Sequence, residues 1–263
     1  MSDIKLIATD IDGTLFDSNK GYHTERFNDY LDKLHRKNIQ FAIASGNNYD
    51  HLEKIFTETP NLDFFIAENG SQIVSDQKTI YERTLSQKLV ATLIPILSDK
   101  LDLKAISLSG KKASYAESTE NQPLYHINNL ICVDNLTTID DDFFKINLQL
   151  KHDDLDTATK FLNDNYQDVL YAAVSGFGSI DIMSANTNKS IALKHLCDLT
   201  DISLDNVMSF GDNTNDLEML QESGIGVAMK NAKQSIIDNA DVVTKHDNDH
   251  DGVLNTLEEY FNL

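Results

Sequence analysis

Asp10 and Asp12 stand one residue apart and are followed at once by Gly13 and Thr14. In an extended segment their carboxylates leave on the same side, and the glycine permits a tight turn immediately after them. Two like charges held this close are unfavourable unless a cation neutralises one or a proton occupies the other, and phosphoryl transfer can use both arrangements. A carboxylate nucleophile that forms an acyl-phosphate splits a hydrolysis into two easier displacements. A neighbouring acid can protonate the departing oxygen and then reverse its role to activate water. A helix-capping loop uses the same residue types, so this stretch alone leaves catalysis and capping both open.

Three other polar groups raise the same question. Gly211-Asp212-Asn213-Thr214-Asn215-Asp216 offers hard oxygen ligands of the kind magnesium selects, and it is equally a plausible acidic helix start. Ser45-Gly46 presents a hydroxyl and an unobstructed amide suited to a phosphate oxygen, or simply a strand-to-helix turn. Lys189 precedes the apolar segment Ile191 to Cys197. A cation in a first helical turn opposes the helix dipole and calls for a local anion, unless it is an ordinary solvated lysine.

The elements around these groups decide whether they can meet. Lys5 to Thr9, Ile39 to Ala44, Asp63 to Ala67, Val207 to Phe210, Gly224 to Ala228 and Asp241 to Thr244 are short runs that read as strands, the first of them buried. Helical periods fall between them at Thr24 to Asn38, Asp50 to Thr57, Ser190 to Leu199, Ala232 to Asp238 and Val253 to Phe261. Such alternation predicts an α/β fold with a doubly wound parallel, Rossmann-like sheet, whose ligands lie beyond the carboxyl ends of the strands. All four polar groups end a strand or open a helix there.

The pattern changes after Gly70. Gln72 to Ser75 and Thr79 to Glu82 read as a hairpin. Helices are expected at Leu85 to Leu97, Asn121 to Asn129 and Asp153 to Asn165. Strands are expected at Leu103 to Leu108, Ile131 to Asp134, Phe143 to Leu150, Val169 to Val174 and Ile180 to Met183. Residues 83–184 are therefore expected to be an inserted α+β domain, and residues 1–82 and 185–263 the core that it interrupts.

The 263 residues carry 42 acidic against 22 basic side chains, a formal charge of −20, with no local basic patch, so neither nucleic acid nor an anionic membrane is an expected partner. The same field repels anionic substrates at long range, so a phosphate ester would have to be drawn in by a bound cation and fixed donors. No stretch approaches the roughly 18 uninterrupted apolar residues of a membrane helix, and the N-terminus lacks a secretion pattern, so a cytoplasmic protein is expected. Cys132 and Cys197 lie in apolar segments without CxxC spacing and are expected to be buried or half-buried thiols.

Taken in order, the four groups resemble the motif set of the haloacid dehalogenase-like superfamily of aspartyl phosphatases, and the layout resembles its Cof-like sugar-phosphatase branch. Glu68-Asn69-Gly70, the segment from Gly226 to Ala232, and Asp251-Gly252-Val253 are also similar to recurring sequences of that branch. The resemblance implies that Asp10 is the nucleophile and Asp12 the general acid and then base. Ser45, Gly46 and Lys189 would hold the phosphoryl group, and Mg2+ would be bound by the Asp10 carboxylate, the Asp12 carbonyl and the Asp212 carboxylate. Asn213, Asn215 and Asp216 would support that arrangement, and the insertion would be a cap that excludes water and selects a small phosphorylated metabolite. The chain departs from the pattern after Gly46, where many relatives carry arginine and this one has Asn47 and Asn48, so a bidentate phosphate donor is missing.

Other readings remain open at this level. A phosphoglucomutase-type phosphotransferase would use the same aspartyl-phosphate, and a catalytically silent phosphate-sensing module is made thinkable by the absent arginine. Asp247, Asp249, Asp251 and Glu258 also fit the spacing of an EF-hand loop. The segment before them reads as a strand rather than the helix such a hand needs, so a solvated acidic loop is the commoner explanation, with His246 and His250 as surface groups. His126, Lys145 and His152 are candidates for substrate selection in the insertion; neither their orientation nor the oligomeric state can be read from sequence.

Overall fold

A computed structural model describes residues 3–117, 129–152, 154–175 and 178–263. The first apolar run forms β1 (Leu6–Thr9), buried along its whole length, as a strand covered on both faces must be. It is followed by α1 (Thr24–His35), β2 (Gln40–Ala44), α2 (Tyr49–Ile55) and β3 (Phe64–Ala67). The helical stripe Phe27, Tyr30, Leu31 and Leu34 turns α1 onto the sheet. β4 (Gln72–Ser75) and β5 (Lys78–Glu82) then form the hairpin, whose turn residues Asp76 and Gln77 take left-handed φ of 48° and 61°. That geometry suits a two-residue turn between antiparallel strands.

The chain next builds a second sheet. Its elements are α3 (Gln87–Lys100), β6 (Leu103–Gly110), β7 (Ser114–Ala116), β8 (Leu130–Cys132), β9 (Phe143–Leu150), α4 (Leu155–Tyr166), β10 (Leu170–Ser175) and β11 (Ser179–Ser184). Six strands lie in the order β10-β11-β9-β6-β7-β8, antiparallel except for β7 with β8. Leu85, expected within a helix, instead bridges Phe143 of β9, and Ser86 caps α3 by accepting the Leu89 amide. β7 is too short to announce itself by alternation and exists through its pairing with β6. The expected helix from Asn121 lies outside the described residues, apart from Asn129 at its end, and so does His126.

The first sheet then resumes with α5 (Lys189–Thr200), β12 (Val207–Gly211), α6 (Leu217–Glu222), β13 (Ile225–Ala228), α7 (Gln234–Ile237), β14 (Val242–Val243) and α8 (Gly252–Phe261). The strand order β14-β13-β12-β1-β2-β3-β4-β5 is parallel through β3 and antiparallel over the hairpin. One face packs against α1, α2 and α8 through Phe27, Leu31, Leu52 and Leu257; the other packs against α5 and α6 through Leu193, Leu196 and Met219. The fold is thus a doubly wound, Rossmann-like α/β core. Because β1 has β2 on one side and β12 on the other, strand order reverses at its carboxyl end, where such sheets form a crevice.

Two expectations need adjusting. α6 is the helix expected after the acidic turn, but its bounds were not legible, because six residues show too little of a helical period. Cys197 is buried, but Cys132 is exposed, since β8 is a three-residue edge strand of the second sheet with Ile131 equally uncovered. No helix among the described residues is long and apolar enough to cross a membrane.

Candidate active site

At the reversal point β1 delivers Asp10, whose amide bonds the Phe210 carbonyl of β12 at 3.1 Å and whose carboxylate is almost wholly buried. Gly13, at φ 80°, turns the chain against the neighbouring loop; a Cβ there would sit 2.6 Å from Asp212 Oδ2. Thr14 Oγ1 donates to Asp212 Oδ1 at 3.3 Å. The first and last motifs therefore meet, although 198 residues separate Thr14 from Asp212. Asp12 is exposed and lines the same cavity.

α5 supplies the cation. Asn188 caps the helix by accepting the Ile191 amide at 2.8 Å, and Lys189 opens its first turn with no solvent exposure. A buried ammonium is tolerated only where anions compensate it. Lys189 Nζ lies 2.5 Å from Asp10 Oδ1 and 2.7 Å from Asp216 Oδ1. Those carboxylates outweigh burial and hold the ammonium above its ordinary range, so it is charged. Asp216 is fully committed, because its Oδ2 also accepts the amides of Asp212 and Asn213, each at 3.1 Å. The acidic helix start is therefore real as a cap, and it doubles as the counter-ion of Lys189.

A carboxylate oxygen from each of Asp10, Asp212 and Asp216 falls within 4.8 Å of the others. Burial pushes Asp10 well above the usual carboxylate range; Lys189 opposes this, and Asp216 and Asp212 add to it. Burial, then Asp216, raise Asp212 to about 7, with Lys189 and Thr14 opposing. A crowded set of hard oxygens with this excess of proton affinity fits a divalent cation, which would return both groups to carboxylates. Asp10 and Asp212 have capacity for that role, whereas Asp216 has spent its oxygens on Lys189 and two amides.

The cavity, of about 160 Å³, is walled on one side by Asp10, Asp12, Ser45, Gly46, Asp212 and Asn215 and on the other by the second sheet. Asn213 also lines it, and its own carbonyl oxygen caps the following turn by accepting the Thr214 amide at 2.8 Å. Ser45 Oγ accepts the Asn47 amide at 3.1 Å. All the site residues read from the sequence thus converge, with Lys189 and Asp216 behind the cavity wall.

Several groups without an assigned role in the sequence reading complete the wall. Glu68 and Asn69 both take φ of 52°, ahead of Gly70 at 99°, and this left-handed run turns their side chains inward. Asn69 Nδ2 donates to Asp181 Oδ2 at 2.8 Å and Asn69 Oδ1 accepts from Asn215 at 3.1 Å; Ser109 of β6 bonds Glu68. Asp181 alternates with Ile180 and Ile182 as a solvent-facing acid of an ordinary strand would, so the sequence carried no sign that it is buried. Of the insertion candidates, Lys145 reaches the cavity, while His152 stands exposed beside Asp102.

The EF-hand-like carboxylates do not converge on one point but are tied to neighbouring side chains and backbone, two of them through the shared Arg26. Asp249 binds Ser18 through its amide and hydroxyl, Asp251 binds His23 and Arg26, Glu258 binds Arg26, and Asp247 binds His250. The loop serves to tie α8 to α1 and to the turn after β1.

Residues 7–257 match the family model for haloacid dehalogenase-like hydrolases. The chain is 34% identical over 263 residues to the 5-amino-6-(5-phospho-D-ribitylamino)uracil phosphatase YbjI of Escherichia coli, covering 97% of this chain and 96% of that protein. It is 26% identical to the Bacillus subtilis phosphatase YcsE, which bears the same description, over 98% of this chain and 96% of that one. Among solved structures, SMU.1108c of Streptococcus mutans superposes with a TM-score of 0.92 at 31% identity, covering 99% of this chain and all of that one. With this match across nearly its whole length, the chain belongs to the haloacid dehalogenase-like hydrolases, among their phosphatases.

Proposed function

We propose that this protein is a magnesium-dependent phosphatase that hydrolyses small phosphate monoesters, sugar phosphates or related metabolites, through an aspartyl-phosphate on Asp10. The observation that carries the reading is the position of the Asp10 carboxylate at the end of β1, with the Lys189 ammonium 2.5 Å away and Asp212 beside it at one cavity. Lys189 orients Asp10 and favours its anionic form against burial, a bound cation would complete its ionisation, and Asp10 Oδ2 is then left to attack phosphorus. As the ester P–O bond breaks, Asp12 donates its proton to the departing alkoxide; it then takes a proton from the water that displaces Asp10 and releases phosphate. Ser45 and the amide region of Gly46 hold phosphoryl oxygens, with Lys189 adding positive charge behind Asp10. Mg2+, held by the Asp10 carboxylate, the Asp12 carbonyl and the Asp212 carboxylate, would neutralise charge on the transferring group.

Residues 83–184 act in this reading as a cap, whose wall faces the leaving group. Ser107 and Ser114, both nearly buried, and the amides of Asn147 and Gln149 line it. Neutral hydroxyls and amides suit a polyhydroxylated leaving group, and the phosphoribityl ester in the names of two relatives falls within that class. The free thiols Cys132 and Cys197 suit a reducing, cytoplasmic setting. Replacement of Asp10 by Asn tests the core of the reading: turnover of p-nitrophenyl phosphate with Mg2+ should fall to background. Persistent turnover by that variant would refute the nucleophile assignment, and a panel of phosphorylated metabolites would then identify the physiological class.

A further inference from the structure

We propose that Lys145, carried by β9 of the cap, is a positioning residue for the phosphate site: it sets the peptide that orients Ser45, and so couples seating of the cap to formation of that site. The proposal rests on the reading of Ser45 as a phosphate-holding group.

Lys145 Nζ donates to the Gly46 carbonyl at 2.5 Å and lies 3.2 Å from both Glu68 Oε2 and Asp181 Oδ2. Gly46 and Glu68 follow strands of the first sheet, whereas Asp181 belongs to β11 of the cap. The lysine side chain is only 15% exposed, and both carboxylates are buried. Among the described residues that line the cavity it is the sole cation. An ammonium has three N–H donors and no acceptor; Lys145 gives one to the Gly46 carbonyl and one to Asp181 Oδ2, with Glu68 Oε2 beside it as a second counter-charge. Its charge is balanced by two buried carboxylates, and its effect on the phosphate site passes through the loop it holds.

What it holds is one peptide unit. The Gly46 carbonyl and the Asn47 amide belong to the same planar trans peptide, so they point in opposite directions. With the carbonyl drawn to Lys145, the Asn47 N–H is aimed at Ser45 Oγ, 3.1 Å away. A hydroxyl that accepts this N–H keeps its own hydrogen for another acceptor, and Ser45 lines the cavity beside Asp10. Asn69 closes the other side of the loop. Its amide lies 3.1 Å from where a Gly46 Cβ would stand, and it bonds both Asp181 of the cap and Asn215 of the acidic turn. The loop is thus gripped from the cap at two points, and Asn47 adds no charge of its own.

The test uses the full chain and orthophosphate with Mg2+ as the probe, with affinity read by calorimetry so that no turnover is needed. Lys145→Met alone leaves two buried carboxylates without their cation and can fail to fold, so it is also made in a Glu68→Gln background, which removes one of them. Relative to Glu68→Gln, the Lys145→Met/Glu68→Gln pair should bind orthophosphate at least about tenfold more weakly, the worth of one hydrogen bond to a charged group. With Ser45→Ala added to both proteins, that difference should vanish, since Lys145 acts through Ser45. Unchanged phosphate affinity, or a loss that persists without the Ser45 hydroxyl, would overturn the proposal. An altered ranking of leaving groups at constant phosphate affinity would also overturn it, by showing direct substrate contact. Loss of turnover on Asp10→Asn bears on the phosphatase reading alone, so the two failures are distinguishable.

Discussion

Both oxygens of Asp216 are committed, one to the Lys189 ammonium and the other to two backbone amides, and this commitment shapes the chemistry of its neighbours. Its charge is one cause of the raised proton affinity of Asp10 and Asp212. Asp212, lifted to about 7 chiefly by burial, binds its proton more tightly in the folded, metal-free protein than in the unfolded chain. Its protonation therefore favours the fold, and that contribution declines as pH rises from about 4 through 7. In the proposed magnesium-bound form, the cation would compete with the same proton. Magnesium affinity should accordingly rise between about pH 5 and pH 7, level off above, and be accompanied by proton release in the rising interval. Calorimetry in buffers of different ionisation enthalpy measures both, and Asp212→Asn should reduce the dependence to the part that Asp10 contributes.

The turn at Glu68-Asn69-Gly70 and the start of α5 together set where Lys189 stands beside Asp10. The left-handed run Glu68-Asn69-Gly70 packs against the start of α5 so closely that a Cβ on Gly70 would lie 2.2 Å from the Asn188 carbonyl oxygen. Asn188 is the cap of α5, and Lys189 is its next residue. Gly70→Ala must move one backbone against the other and also place a side chain at φ 99°. A stability loss of about 1–3 kcal/mol is expected from strain of this kind, read as a lower denaturation midpoint. Because the displaced helix start carries Lys189, kcat should fall in the protein that remains folded. Gly178→Ala is the control: its φ is 70°, but nothing lies within 4 Å, so strain is tested there without the clash.

At the scale of the whole molecule, a charge of −20 surrounds a site intended for an anion. Lys189 is neutralised by Asp10 and Asp216, and Lys145 by Glu68 and Asp181, so neither lysine creates a long-range positive field. Repulsion of a phosphate ester should then be relieved by screening, as the Debye length shrinks to about 10 Å near 0.1 M salt. Raising ionic strength from about 0.01 M to 0.15 M at constant free Mg2+ should raise kcat/KM for an anionic ester, in a range where most enzymes acting on phosphates by electrostatic attraction lose rate. A flat or falling profile would show that the bound cation dominates the local field even at a distance.

The residue types at the strand ends, and the alternation of strand and helix that puts them there, were legible in the chain because both are local: apolar runs and helical periods extend over a few residues. DxDGT, Ser45-Gly46, Lys189 and the acidic turn at Asp212 could therefore be picked out together. Their partnerships could not, since Lys189 and Asp10 are 179 residues apart and their contact depends on the order of strands in the sheet. Only the folded chain decides that Asp216 serves Lys189 and the backbone, that Lys145 and not His152 faces the cavity, and that Glu68 and Asn69 turn inward. Burial is the physical reason: it makes an unpaired charge costly, so the final pairing of each acid and lysine is set by which groups the two packed sheets remove from water together.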